Sequence, residues 1–325
     1  MRNADALPAG KPANLPAAIV DAHHHLWRLA GAHYPWLQEA YDPQAFFMGD
    51  YSDLRRDFAP GDYRRRTRGY PVAATVHVEA ERARPDALAE TAWLHEVHAR
   101  EGFPNAVVAH ADFADPDIDT ALRDQAAHPL VRGIRCKPIT AAGPTGSVRG
   151  QPGSLQDDRW LNGLAALPRH GLSWDLRVPF WHLAEAADAI GQIPGLTVVL
   201  NHAGLPWDRS EAGLAAWRKG MEALARHDGV HVKLSEFGLR GTAWNPAENA
   251  RIIRDTIDIF GWQRCVFASN LPVSGLRVDI PTLVDTVCHA IAHLPAEAQA
   301  GIWHDNALRV YRIDAPGPRL IPEQP

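Results

Sequence analysis

The run IVDAHHH, residues 19–25, joins a short apolar segment to three consecutive histidines. The apolar segment has the composition of a buried strand, and side chains two residues apart on a strand point the same way. His23 and His25 are therefore predicted to project together from the end of this strand, whereas His24 points to the other side. Two imidazoles side by side can bind a divalent ion or hydrogen-bond to one substrate oxygen.

Seven further apolar runs follow, and segments of helical periodicity fill the intervals between them. The predicted strands begin near Val72, Ala106, Val131, Leu172, Thr197, Val230 and Cys265. Each interval is long enough for one βα unit, and none has the composition of a linker. Together with the first run they predict a single (β/α)8 TIM barrel over residues 19–313. An open doubly wound sheet is the rival, but no Gly-rich phosphate fingerprint follows an early strand.

Two connections are longer than a barrel needs, and both follow the carboxyl ends of strands. They are residues 27–63 after strand 1 and residues 137–158 after strand 4. Barrel enzymes keep their sites at this end, so both loops are expected beside the site. Residues 1–18 are rich in Ala and Pro and lack the apolar stretch of a signal peptide, so we expect a loose N-terminal tail there. Residues 314–325 are expected to form a C-terminal tail.

Composition excludes several classes of protein. The chain has 325 residues, 46% of them hydrophobic, and a net charge of −5. It therefore has ample material for a core and no basic surface for nucleic acid or an anionic membrane. No apolar run approaches the roughly 18–20 residues that cross a bilayer. Three widely spaced cysteines exclude a disulfide framework. We expect a cytoplasmic protein whose partner is a small-molecule substrate; a homo-oligomer stays open.

Polar or ionisable residues stand at the ends of seven predicted strands. Any one of them could be a structural ion pair, but buried charge is costly unless it is paired or used, so seven together indicate a site. Arg135 and Lys137 form a cationic pair suited to a carboxylate or an oxyanion. The further candidates after the first strand are Glu79, Asp175, Arg177, His202, Glu236 and Asn270.

Tryptophans are frequent in the predicted βα loops. Trp27, Trp36, Trp181 and Trp207 could form an aromatic lid that excludes water and stacks on a flat or sugar-like ring. The same residues could instead cover the apolar edges of the barrel helices or form a subunit contact. Sequence alone leaves these two interpretations open.

Several motifs in the expected order resemble the amidohydrolase superfamily: IVDAHHHLWRL, VHVEAE, LNHAGLP, SNLPV and HDNALRVYRI. More narrowly, the chain resembles the amidohydrolase-2 branch, which includes fuconolactonase, sulfomuconolactone hydrolase and pyrone-dicarboxylate lactonase. The resemblance runs from Ile19 to Ile313 and implies a TIM barrel with its site at the carboxyl face. His23 and His25 match the first-strand histidine pair, and His202 matches the strand-6 histidine. Members of this branch mostly hydrolyse lactones, several without a tightly held metal.

Asn270 departs from the pattern of this branch, in which the strand-8 residue is an aspartate that takes a proton from the attacking water. A carboxamide cannot accept a proton at neutral pH, although it can orient a water or donate to a carbonyl oxygen. Another group must then act as general base. The first candidate is His202, because an ordinary imidazole pKa of about 6.5 suits a base near neutrality, followed by Glu79 and Glu236.

The predicted function is hydrolysis of a small carboxylate-bearing or sugar-derived lactone at the barrel mouth. One alternative is a zinc-dependent decarboxylase or C–C/C–N hydrolase of the same superfamily, with His23, His25 and His202 as metal ligands. Another is a small-ligand binder that has lost catalysis, which Asn270 motivates. No cofactor is certain from the sequence, and zinc is the one considered.

Overall fold

The eight runs predicted as strands are the eight strands of one parallel sheet, in the order β1 to β8. We describe residues 15–314 in a computed structural model. The predicted tails, 1–18 and 314–325, lie outside the described residues except for 15–18 and 314. The strands are β1 Ile19–His24, β2 Val72–Val78, β3 Ala106–Ala109, β4 Val131–Ile134, β5 Ser173–Leu176, β6 Val198–Leu200, β7 Val230–Leu234 and β8 Cys265–Phe267.

Backbone hydrogen bonds between the chain after β8 and β1 bring the two ends of the sheet together. The Asn270 amide donates to the carbonyl of His23 (2.7 Å), and the His25 amide donates to the carbonyl of Leu271 (2.8 Å). The sheet therefore closes into the predicted (β/α)8 barrel.

Helices follow the strands, and three of the longest begin at a residue that caps their first turn. The side chains of Ser210, Asn245 and Asp279 accept hydrogen bonds from backbone amides of the helices that follow them. These caps satisfy amides that have no partner within a helix. The helices are α1 Pro35–Gln38, α2 Pro60–Arg66, α3 Ala87–Glu101, α4 Ile118–Ala126, α5 Asp158–Leu164, α6 Leu183–Ile190, α7 Glu211–Ala225, α8 Pro246–Phe260, α9 Ile280–Ile291, α10 Ala296–Ala300 and α11 Asn306–Tyr311.

The last helix closes the amino end of the barrel. Tyr311 of α11 packs in one buried cluster with alternate residues of the strands, among them Val20 and Val76. Alternate strand residues share one side, so this cluster is the barrel interior. Arg312 donates to the carbonyl of Gly171, just before β5, which places α11 at the strands' amino ends. The carboxyl end is left for a site.

The two long connections lie where the sequence predicts them. The chain between β1 and α2 contains only the short α1 and one 3₁₀ turn, and the chain between β4 and α5 contains neither helix nor strand. Both begin at carboxyl ends of strands. Within residues 15–314, each helix is too short or too polar to cross a membrane.

Candidate active site

A cavity of about 320 Å³ lies over the carboxyl ends of the strands. Its polar lining follows β1, β2, β4, β5, β6 and β8, and its apolar lining comes chiefly from the long loop after β1. The lining residues are His25, Trp36, Ala45, Phe46, Phe47, Ala80, Glu81, Arg135, Lys137, Arg177, His202, Trp207, Asn270 and Val273.

Three histidines from two strands converge at the floor of this cavity. The ring of His23 has its centroid 4.9 Å from that of His25 and 4.7 Å from that of His202. His25 and His202 line the cavity, whereas His23 is fully buried beneath them. The structure therefore brings together the three imidazoles that the sequence singles out, and His24 points away to the hydroxyl of Thr75 (2.9 Å).

His202 is held in a strained turn. Its φ is +60°, in the left-handed region that side chains with a Cβ seldom adopt. Its Nδ1 lies 2.9 Å from the Ser235 hydroxyl. Burial lowers the pKa of His202 well below 6.5, and the positive charges of Arg177 and Lys233 lower it further. The imidazole is therefore neutral at pH 7 and has a lone pair to offer.

Left-handed backbone recurs around the same cavity. Glu81, His202, Glu236 and Asn270 follow β2, β6, β7 and β8, and all have φ between +53° and +60°. Such residues cost about 1–3 kcal/mol each and cluster at functional sites, where the surrounding fold enforces them. Three of these four line the cavity and Glu236 contacts Asn270, so the strain at this end of the barrel is typical of a functional site.

Two of the cavity cations already have carboxylate partners. Arg135 donates from Nε to Glu79 Oε1 (2.7 Å) and from Nη2 to the Glu79 carbonyl (2.5 Å), and both side chains are buried. Burial alone would raise the pKa of Glu79, but neighbouring cations, Arg135 foremost, lower it overall. Glu79 is thus a committed ion-pair partner and a poor proton acceptor. Lys137 pairs with Glu81.

Arg177 is the cavity cation that has no carboxylate partner. Within residues 15–314 it forms no ion pair, and its guanidinium lies over the ring of Phe47, 5.0 Å from the centroid. Burial, followed by the charge of Arg135, lowers its pKa to about 10, so it stays protonated at pH 7. A ligand carboxylate is the natural counter-charge for this group.

Asn270 is oriented by Glu236. Asn270 Nδ2 donates to Glu236 Oε2, so the amide oxygen Oδ1 is the group that Asn270 has left to present. Burial raises the pKa of Glu236 to about 7, although the hydrogen bond from Asn270 opposes the shift. The other carboxyl oxygen, Oε1, is buried and has no hydrogen-bond partner among the described residues.

Three residues expected to bind substrate lie outside the cavity. Asp175 is fully buried in an ion pair with Lys233. Trp27 is fully buried, packs on Trp36 and donates from Nε1 to a backbone carbonyl (2.7 Å). Trp181 donates to the Ala141 carbonyl and contacts the cavity-lining Trp207 at 5.8 Å. The two tryptophans therefore pack behind the wall, whereas Asp175 lies deeper in the barrel, and the polar atoms of all three are already satisfied within the protein.

Phe46 and Phe47 form much of the apolar wall and are not among the aromatic residues predicted from the sequence, all of which are tryptophans. Phe46 stacks on Trp36 and Phe47 stacks on Trp207, with centroids 5.9 Å apart in both pairs. A signal was available, since two adjacent phenylalanines stand in the long loop after β1. Lys233 and Ser235 are among the polar residues at the end of strand 7, but the sequence assigns neither of them a role, although a lysine inside the apolar run VHVKL is itself unusual.

The three histidines do not fit a divalent metal ion in this arrangement. Among residues 15–314, no three or more His, Cys, Asp or Glu side chains are arranged to hold one. Each ring nitrogen of His23 already has a side-chain partner at 3.2 Å, one of them an ammonium. Strand 8 offers Asn270 where a carboxylate would supply negative charge. The side-chain arrangement therefore does not favour the zinc site that the sequence leaves open for His23, His25 and His202.

A closed barrel with imidazoles, a guanidinium and an aromatic wall around a cavity at its carboxyl end is the architecture of a TIM-barrel enzyme. A family model described as amidohydrolase matches residues 20–313, so the chain belongs to the amidohydrolase family, as its motifs predict.

The relatives are similar along most of their length. An uncharacterized protein of Sinorhizobium fredii is 29% identical over 91% of this chain and 99% of its own. An L-fucono-1,5-lactonase of Burkholderia ambifaria is 29% identical over 91% of this chain and 96% of its own. A zinc-bound crystal structure of a Burkholderia multivorans amidohydrolase is 26% identical, with a TM-score of 0.75 over 92% of this chain and all of that one.

Proposed function

We propose that the protein hydrolyses a small lactone that bears a carboxylate. The observation that carries the proposal is a half-buried guanidinium, Arg177, which forms no ion pair within residues 15–314 and shares one cavity with the neutral imidazole of His202 and the oriented amide of Asn270. The family and the lactonase relatives support a cyclic ester as substrate. The cavity volume of about 320 Å³ suits a ligand of one ring with short substituents.

Arg177 binds the substrate carboxylate in this proposal, and the aromatic wall packs on the ring. Arg135 and Lys137 already have carboxylate partners in Glu79 and Glu81, so Arg177 is the cavity cation that a substrate carboxylate meets without a competing ion pair among the described residues. Trp36, Phe46, Phe47 and Trp207 contribute apolar surface that excludes bulk water, which strengthens charge interactions inside.

His202 accepts the proton of the attacking water. The amide oxygen of Asn270 accepts the water's second hydrogen and so aims its lone pair at the acyl carbon. A substrate carboxylate on Arg177 offsets one of the charges that depress the pKa of His202, which makes this imidazole a better base once substrate is bound.

The hydroxide oxygen then bonds to the acyl carbon, and the carbonyl becomes an oxyanion. Arg135 keeps Nη1 free of hydrogen bonds to the described residues, and Lys137 also faces the cavity, so both can donate to this oxygen. The ring C–O bond breaks, and protonated His202 returns its proton to the leaving oxygen. The product is an open-chain hydroxy acid.

The two alternatives are less well supported. A zinc-dependent decarboxylase or C–C hydrolase needs a metal-ligand set, which the engaged nitrogens of His23 do not supply. A binder without catalysis would follow from Asn270 if the cavity had no other proton acceptor. His202 lines the cavity and can accept a proton.

The test is hydrolysis of a panel of five- and six-membered lactones, each with and without a carboxylate, by the purified full chain. The wild type should open carboxylated members, and His202→Asn should lower kcat by about 100-fold or more. His304→Asn, which alters a histidine remote from the cavity, is the matched control and should keep the wild-type rate. The proposal fails if no lactone is opened or if His202→Asn retains full activity.

A further inference from the structure

Lys233 is a buried cation in direct contact with the histidine pair. Its side chain is completely buried, and its Nζ lies 3.2 Å from Nδ1 of His23. The same ammonium forms an ion pair with Asp175, which is equally buried. The Tyr311 hydroxyl lies 3.2 Å from both oxygens of Asp175, so the pair is anchored to α11. Asp175 and Tyr311 thus hold Lys233 in place from the barrel interior.

The partners of the two rings determine which nitrogens carry protons. An ammonium can only donate, so Nδ1 of His23 is an acceptor and the ring proton is on Nε2. A carbonyl oxygen can only accept, so Nδ1 of His25, 2.7 Å from the Val78 oxygen, carries the proton of that ring. Nε2 of His25 is then an acceptor, and the Nε2–H of His23 donates to it over 3.2 Å.

One continuous chain of hydrogen bonds results, from Lys233 through His23 and His25 to the backbone. Both nitrogens of His23 are used, and the single lone pair of His25 points at the proton of His23. Metal binding by an imidazole requires a lone pair, so this arrangement offers none. The ammonium also adds positive charge where a dication would have to enter.

We propose that Lys233 is a positioning residue that holds His23 and His25 in this hydrogen-bonded tautomer and so keeps the pair from binding a divalent metal ion. The Lys233 ammonium supplies positive charge where a bound divalent metal ion would otherwise supply it. This inference does not depend on the identity of the substrate, because it concerns only the state of the two rings.

Nitrogen NMR of the histidine rings in the wild-type chain tests the tautomer directly. With ¹⁵N-labelled histidine, the signals that disappear in His23→Gln belong to His23. We expect an unprotonated Nδ1 and a protonated Nε2 for this ring. A protonated Nδ1 on His23 would overturn the proposal, and so would rapid exchange between the two tautomers.

Zinc titration of the chelator-treated full chain tests the consequence. The wild type should bind no zinc that depends on His23. Lys233→Met combined with Asp175→Asn removes both buried charges together and should bind one equivalent at least about 10-fold more tightly than the wild type. Adding His23→Gln to that variant should abolish the gain. Wild-type zinc binding through His23 as tight as in the variant contradicts the inference; if the variant does not fold, the NMR result and the wild-type titration decide it.

Discussion

Arg177 carries the charge that selects the substrate in this account. Its half-buried guanidinium lies over the ring of Phe47 and has no carboxylate partner within residues 15–314. A charge-assisted hydrogen bond from Arg177 to a substrate carboxylate contributes about 1.5–3 kcal/mol. Arg177→Met should therefore raise KM for a carboxylated lactone by about 10- to 100-fold, with less effect on the neutral lactone of the same ring. Steady-state kinetics on the two substrates measures this, and an equal loss on both would remove Arg177 from carboxylate recognition.

His202 should set the acid limb of the pH profile. Burial and the neighbouring cations lower its pKa well below 6.5, so it stays unprotonated until the pH falls beneath that value. We expect kcat/KM for a carboxylated lactone to hold from pH 8 down to about 6.5 and to fall only below it. A limb centred near pH 7 would instead point to Glu236, whose pKa burial raises to about 7, as the group that must be ionised.

Glu236 should make stability depend on pH. The folded protein keeps its proton up to about pH 7, whereas the unfolded chain releases it near 4.5. Between these values the folded state binds more protons, so stability is lost as the pH rises from about 4.5 to about 7. In the wild type this lowers the free energy of unfolding by on the order of 2 kcal/mol between about pH 5 and pH 8, and Glu236→Gln should abolish that decrease. Urea unfolding at the two pH values measures it. The same difference from wild type at both pH values would contradict this assignment.

The long loop after β1 supplies the roof of the cavity. Phe47 packs against the Arg177 guanidinium and stacks on Trp207, so it contacts both the cation and the aromatic wall. Cation–π and stacking contacts contribute about 0.5–1.5 kcal/mol each, so Phe47→Ala should raise KM by about 3- to 10-fold. Tyr41→Ala on the same loop is the control, because Tyr41 is 39% exposed, bonds to Asp50 and packs on Tyr51 without lining the cavity. A similar KM change in both variants would indicate general loosening of the loop.

Strand positions could be predicted from sequence, because each strand is a short apolar run buried on both faces. The direction in which side chains at strand ends point is harder to predict from sequence. Asp21 and His23 are two residues apart, so on a regular strand their side chains would point to the same side. Instead, Asp21 contacts Tyr63 of α2 (2.8 Å) and His23 contacts His202. The pairing of β1 with β2 shifts register between Asp21 and His24, and this irregularity separates the two residues. A period-two rule cannot anticipate such a bulge.

At the scale of the whole barrel, the sequence predicts polar residues at the carboxyl ends of the strands, where the structure has a cavity, but it does not predict how their charges pair. Arg135 was expected to hold substrate and Glu79 to serve as a base, yet the two neutralise each other across 56 positions of sequence. Lys233 and Asp175 do the same. Which strand-end charges face one another depends on strand order and register in three dimensions, and a single sequence does not report this. The unpaired Arg177 emerges only after the others are paired.

Because α11 covers the amino end of the barrel, the proposed substrate site lies in the cavity at the carboxyl end. The most direct measurement is a crystal structure of the protein with an unreactive lactam that bears a carboxylate. The account predicts the carboxylate on Arg177, the ring against Phe47 and Trp207, and the lactam carbonyl carbon within reach of a water between His202 and Asn270. A lactam bound elsewhere, or bound with its carboxylate turned away from Arg177 and its carbonyl remote from His202, would contradict it.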